Sequence, residues 1–300
     1  MTTRIEAFVL LNGGWKPDAM DFAADLGARY PGIGRVRGKQ AEEGSGTPHV
    51  IGVDGASVQM SIVNAPYPTE QLLPPLRLIE HVDPEPVARA QAAYVMLSAE
   101  WPDIDAEEAP VECAEIAGAY SALLTLVTAM VVRQAPSIAA FWTESWRFWT
   151  AEQIEAAADG VMRGEPPLSL WYSLAEIKGA KAGGGDMRGA MSFGLKPFCG
   201  REVEVAPAPL GAVTVQMLAK EMAERMIAGE RIEDHEPLHR PGMEEPAVVR
   251  LADRFMRPRQ PVVLVVPPGA GIDAQSLESK KAAGAARSGG LVSRFFGGRR

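Results

Sequence analysis

The 300-residue chain is 47% hydrophobic and 23% charged, with a formal net charge of −8 and two cysteines, Cys113 and Cys199. That balance fits a packed globular protein and excludes global disorder, a fibrous repeat and a disulfide scaffold. An acidic chain also argues against nucleic-acid binding through a basic surface. The charge is uneven: residues 269–300 hold Lys280, Lys281, Arg287, Arg294, Arg299 and Arg300 against Asp273 and Glu278, which makes this tail +4 and the rest −12.

The apolar run at residues 7–11 is shorter than the roughly 7–15 residues of a signal-peptide core, so residues 5–11 read as a strand. Two unpaired cysteines fit a reducing cytoplasm. Asp18 is placed to cap a helix running to Arg29, and Gly32 and Gly34 end it. Residues 39–48 are polar and read as a loop. Residues 50–63 alternate around Asp54-Gly55, a hairpin signal. Prolines crowd residues 64–86, which read as a surface connection with one short helix, and residues 94–98 read as a strand.

Residues 116–132 form a run of seventeen residues without a charge. As a helix the run spans about 25 Å, short of the roughly 30 Å hydrocarbon core of a bilayer, so it reads as a central core helix from about Val111 to Gln134. Residues 138–142 follow as a strand. Thr150 and Gln153 fit a capping box opening a helix to about Arg163. Strands are expected at residues 168–177, 188–195 and 201–205. An amphipathic helix over residues 213–228, closed by Gly229, precedes strands at 247–251 and 262–266. Beyond Pro268, Ala, Gly and Ser dominate, which implies a flexible extension.

The fold class expected is α+β, with two ferredoxin-like α/β sandwich halves packed around the long apolar helix and a disordered basic C-terminal tail. The expected division is an N-terminal half at 1–64, a Pro-rich connection at 65–91, a C-terminal half at 92–268 and the tail at 269–300.

Several motifs invite chemistry. His235-Glu-Pro-Leu-His239 matches the zinc-protease string, but Pro237 opposes the helix that would put both histidines on one face. Ser192, in Ala-Met-Ser-Phe-Gly, lies inside an expected strand, whereas a nucleophile elbow needs a strand-to-helix turn. The Gly-rich segment 182–188, ending at Arg188 and preceded by Lys178 and Lys181, opens a strand where phosphate loops open a helix. The densest unusual feature is aromatic: Phe141, Trp142, Trp146, Phe148 and Trp149 surround Arg147, with Trp171-Tyr172 further on. Trp, Tyr and Arg dominate binding hot spots, and a turn covering a core has the same composition.

The string from Met187 to Pro209, MRGAMSFGLKPFCGREVEVAPAP, resembles the C-terminal signature of the bacterial domain of unknown function 4261 family. The family's Thr/Ser-x-Gly-Leu is matched by Ser192, Gly194 and Leu195, and its Phe-Gly-x-x-Glu-x-Glu by Phe198, Gly200, Glu202 and Glu204. Ala65-Pro-Tyr-Pro68, residues 94–98, Phe141-Trp142, Leu170-Trp171 and Ala228-Gly-Glu230 extend the similarity over about residues 5–267. Cys199 is an insertion in the pattern, and the loop at 231–242 is longer than the family's. The resemblance implies a fold and a cytoplasmic bacterial setting, and little chemistry. Gly194 and Gly200 read as close-approach or bulge positions. Glu202 and Glu204 share a strand face, read as the solvated side of an edge strand in preference to a cation site.

The leading expectation is a non-enzymatic binding or accessory protein of the bacterial cytoplasm, linked to secretion or inter-bacterial conflict. Its partner is a protein, with no cofactor and no nucleic acid. The candidate binding residues are Trp142, Trp146, Arg147, Trp149, Trp171, Arg188, Glu202 and Glu204. A metal-dependent hydrolase using His235 and His239 is one alternative. A peripheral membrane protein using Leu291, Phe295, Phe296 and the flanking arginines is the other.

Overall fold

A computed structural model describes residues 2–41, 48–68, 70, 84–182, 185–240, 243–252, 255–256, 260–270 and 272. It is α+β. The first sheet begins with β1 (Thr2–Leu11), whose alternate side chains Ile5, Ala7, Val9 and Leu11 point into one core while Phe8 and Leu10 point to the opposite face. Helix α1 (Ala19–Arg29) starts where Asp18 accepts from the Met20 and Asp21 amides, as its cap position requires. Strands β2 (Val36–Lys39), β3 (His49–Val53) and β4 (Ala56–Val63) form a meander, turned at Asp54 and Gly55 with both residues at positive φ. After helix α2 (Pro84–Ala90), strand β5 (Ala93–Pro102) pairs with both β4 and β1.

Helix α3 (Pro110–Gln134) is long and apolar enough to cross a membrane, yet two thirds of its most apolar stretch is buried inside the protein. Its length-and-composition signal therefore has a core explanation. Thr125 and Thr128 return their hydroxyls to the carbonyls of Ser121 and Leu124, which satisfies them within the helix. Strands β6 (Ser137–Trp142) and β7 (Arg147–Trp149) complete the sheet, in the order β2-β3-β4-β5-β1-β6-β7, antiparallel throughout. Helix α4 (Ala151–Met162) follows from the Thr150–Gln153 capping box and packs on α3.

A short helix α5 (Leu168–Trp171) leads to the second sheet, where the sequence suggested a strand throughout. Strands β8 (Ser173–Ala182) and β9 (Gly185–Phe193) form a hairpin. Then come the single turn α6 (Lys196–Cys199), β10 (Glu202–Ala208) and helix α7 (Ala212–Ile227). Strands β11 (Pro237–Leu238), β12 (Ala247–Ala252) and β13 (Val262–Val266) complete the order β11-β12-β13-β10-β9-β8, with β10 and β13 parallel.

Each sheet buries one face under helices. The first packs on α1, α3 and α4, and the second on α7 through Val203, Val205, Leu218 and Met222. Trp171 and Phe198 from the second unit enter the first core, so α3 is held from both sides. The sheets divide the chain between Trp149 and Ser173. That is later than the expected division at 65–91, because β5 and β6 pair directly with β1. Most of the Pro-rich connection, the tip of the Gly-rich hairpin and the tail bearing Leu291, Phe295 and Phe296 lie outside the described residues.

Candidate functional site

The signature residues surround one buried carboxylate. Glu202 is 3% exposed; its Oε1 accepts from the Gly194 and Lys196 amides and its Oε2 from the Ser192 hydroxyl at 2.6 Å and the Leu195 amide. Ser192 Oγ in turn accepts from the Val203 amide at 2.7 Å. The serine is thus fully engaged inside strand β9, and the acyl-transfer reading has no geometric basis. Gly194 sits at φ 101°, and a Cβ there would lie 2.4 Å from the Trp171 carbonyl oxygen, so only glycine fits. Glu204 is fully buried and accepts from the Met256 amide at 2.7 Å. The solvated-edge reading of Glu202 and Glu204 is therefore corrected: β10 lies between β9 and β13, inside the sheet, and both carboxylates are buried.

The other candidates fall in separate places. Trp142 is core. Trp171 is core too, stacked on Phe198 and donating its indole N–H to Thr125 Oγ1 at 3.1 Å. Arg188 pairs with Glu176 across the β8–β9 hairpin at 2.6 Å. His235 has φ 68°, Pro237–Leu238 is extended, and no group of three or more metal-ligating side chains occurs among the described residues. The helix that the zinc motif requires is absent from that segment.

A cleft of about 160 Å³ opens between residues 106–110 and 230–233. Its polar walls are already committed: Arg201 pairs with Glu107 and donates to the Ala252 carbonyl, and the Cys199 thiol has the Leu195 and Arg201 carbonyls as acceptors for its one hydrogen. Burial pushes the Cys199 thiol upward and keeps it protonated, which removes a nucleophile.

Trp146, Arg147 and Trp149 do come together, on the turn and edge strand at 143–149. Arg147 stands opposite Trp142 and Trp149 opposite Ala140, so both face the helix-covered side of the first sheet. Phe148 takes the other side with Phe141. Trp146 holds the turn at φ 54° and lays its ring on Phe193 of the second sheet, 4.9 Å between centroids. Ser145 lends its carbonyl to the Ser173 hydroxyl at 2.7 Å. The turn is thus the seam where the sheets meet.

Its polar groups are unlike those at Glu202. Ser145 Oγ, Arg147 Nε and Trp149 Nε1 are buried and have no hydrogen-bond partner. The one other such atom among the described residues, Arg240 Nε, has Glu221 Oε2 at 2.9 Å. Burial pulls the Arg147 guanidinium down in pKa, with the Tyr172 hydroxyl opposing, and Tyr172 is itself pushed up to about 12, chiefly by its own burial. In the same turn, protein atoms crowd the Glu144 carboxylate, and desolvation pushes it up to about 8. Thr143 Oγ1 has one hydrogen and two oxygens in reach, the Glu6 carbonyl at 3.0 Å and Glu144 Oε2 at 2.9 Å. Both contacts are satisfied when Glu144 carries the second proton.

Ser145, Glu144 and Tyr172 were not among the expected binding residues. The one signal was a carboxylate and a hydroxyl set among tryptophans at 142–149. Comparison of the chain with protein-family models, with curated proteins and with solved structures finds no match.

Proposed function

We propose that this chain is a non-enzymatic binding or accessory protein of the bacterial cytoplasm, serving secretion or inter-bacterial conflict, and that it takes a protein partner at the 143–149 turn. One observation carries this reading: three buried donors without partners, Ser145 Oγ, Arg147 Nε and Trp149 Nε1, fall within five residues of one turn and edge strand, beside half-buried Trp146 and Trp149. A buried donor without a partner costs about 1–3 kcal/mol, and a cluster of them in one place marks a site with a role besides packing. Membership of the domain of unknown function 4261 family is part of the same proposal; what supports it is the way the matched residues Ser192, Gly194, Leu195 and Glu202 form one hydrogen-bonded unit. The order β6-β1-β5-β4 with α1 and α3 on one face supports a ferredoxin-like first half, while parallel β10 and β13 support it less for the second.

The test is quantitative affinity capture from the native host with wild type, Arg147→Ala and Trp146→Ala in parallel. A protein retained by wild type and lost from both variants is the expected result. Identical retention by all three would remove the turn from the binding surface.

A further inference from the structure

The geometry points to the Arg147–Trp149 edge as a receptor for a single carboxylate group carried on a peptide, a chemistry that rests on the binding reading above. Arg147 and Trp149 are two residues apart on β7, so their side chains leave the same face about 7 Å from one another. Both offer N–H donors without acceptors, and the buried Ser145 hydroxyl adds a third donor in the same turn. The ligand must therefore supply acceptor oxygens.

Charge narrows the class. Among the described residues Tyr172 is the one titratable group that acts on Arg147, and no carboxylate forms an ion pair with its guanidinium. One guanidinium matches one negative charge. A phosphate dianion calls for more cations than the turn presents, whereas a carboxylate fits a planar guanidinium fork through two parallel hydrogen bonds. The surroundings narrow it further. Trp146 and Trp149 remain partly exposed beside Arg147, which gives the charged centre an apolar rim. Such a rim suits a carboxylate on a carbon chain better than a bare, strongly hydrated inorganic ion. Two peptide sources share this chemistry: an acidic side chain and a free C-terminus.

The experiment is a titration of the full chain, watched through the Trp149 indole N–H and Arg147 Nε–H resonances. The probes are a blocked Gly-Glu-Gly peptide, its Gln counterpart, a Gly-Gly-Gly peptide with a free C-terminus, its amide, and inorganic phosphate. We expect at least one carboxylate peptide to shift both resonances, and its neutral counterpart and phosphate to leave them in place. Whichever of the two carboxylates acts identifies the source. Arg147→Met is expected to weaken binding about tenfold or more while keeping the melting temperature, since an unpaired buried charge gives the fold little. Trp149→Phe keeps an aromatic side chain, smaller than the indole, and removes one donor, with a smaller loss. Equal shifts from the Gln peptide or from phosphate, or no shift from any probe, overturn the carboxylate assignment. A partner still captured through Trp146 and Arg147 would in that event leave the broader binding reading standing.

Discussion

The turns at 143–149 and 192–202 press against each other through Gly194, and they handle buried polar groups in opposite ways. At 192–202 the donors gathered around Glu202 all have acceptors: three amides and a hydroxyl meet the carboxylate, and the Val203 amide meets Ser192. At 143–149 a carboxyl holds a proton against its ordinary pKa, and three donors have no acceptor. Saturation makes the first a fastening between strands. Its motif-like residues are explained by folding alone. Incomplete satisfaction makes the second the place where a ligand gains most, because the desolvation cost is already present in the unliganded protein.

The contrast breaks most visibly at Glu202. Glu202→Ala removes the acceptor for four donors buried in or beside the seam, and should cost about 3–5 kcal/mol in urea unfolding. A loss under about 1 kcal/mol would mean that the signature turn is not the fastening described. Glu144→Gln comes next and acts through pH. A carboxyl raised from 4.5 to about 8 on folding contributes stability that is full below the unfolded value and is lost as pH rises toward 8. Wild type should therefore lose stability between about pH 5 and pH 9. Gln mimics the protonated acid, accepting from the Glu6 amide and donating to Thr143, so the variant should lack that slope. The expected gap at pH 9 is about 2 kcal/mol, less than the full pKa displacement because the residue keeps some solvent contact. Parallel pH profiles for the two proteins would place the proton elsewhere.

What the sequence made legible was local. Asp18, Thr150 with Gln153, Asp54-Gly55 and Gly229 act within a few residues of themselves, and each does what its chemistry dictates. Short β2, β7 and β11 were missed because strands of two to four residues have too little alternation to read. Residues 168–171 form a helical turn because Pro166-Pro167 sets the chain entering it, although the side chains favour a strand. The burial of Glu202 and Glu204 was illegible for a deeper reason. Alternating carboxylates suggest water, and only the long-range parallel pairing with β13 places β10 inside the sheet. The candidate site was half legible: its aromatics and Arg147 stand out, while its unpaired donors emerge only when every neighbour is in place.

Ser145→Ala sharpens the contrast with the smallest effect. A buried hydroxyl that donates to an acceptor usually costs about 0.5–1.5 kcal/mol when removed. Ser145 is fully buried and its Oγ has no partner, while its structural contact with Ser173 is made by its backbone carbonyl, which alanine retains. Alanine should therefore be neutral or stabilise the protein by up to about 1 kcal/mol in urea unfolding. Ser173→Ala is the matched control, because that hydroxyl does donate, at 2.7 Å, and its loss leaves the Ser145 carbonyl short of a donor. It should cost about 1 kcal/mol. If Ser145→Ala costs as much as Ser173→Ala, the turn is as fully satisfied as its neighbour, and the difference between the two turns disappears along with the case for a ligand there.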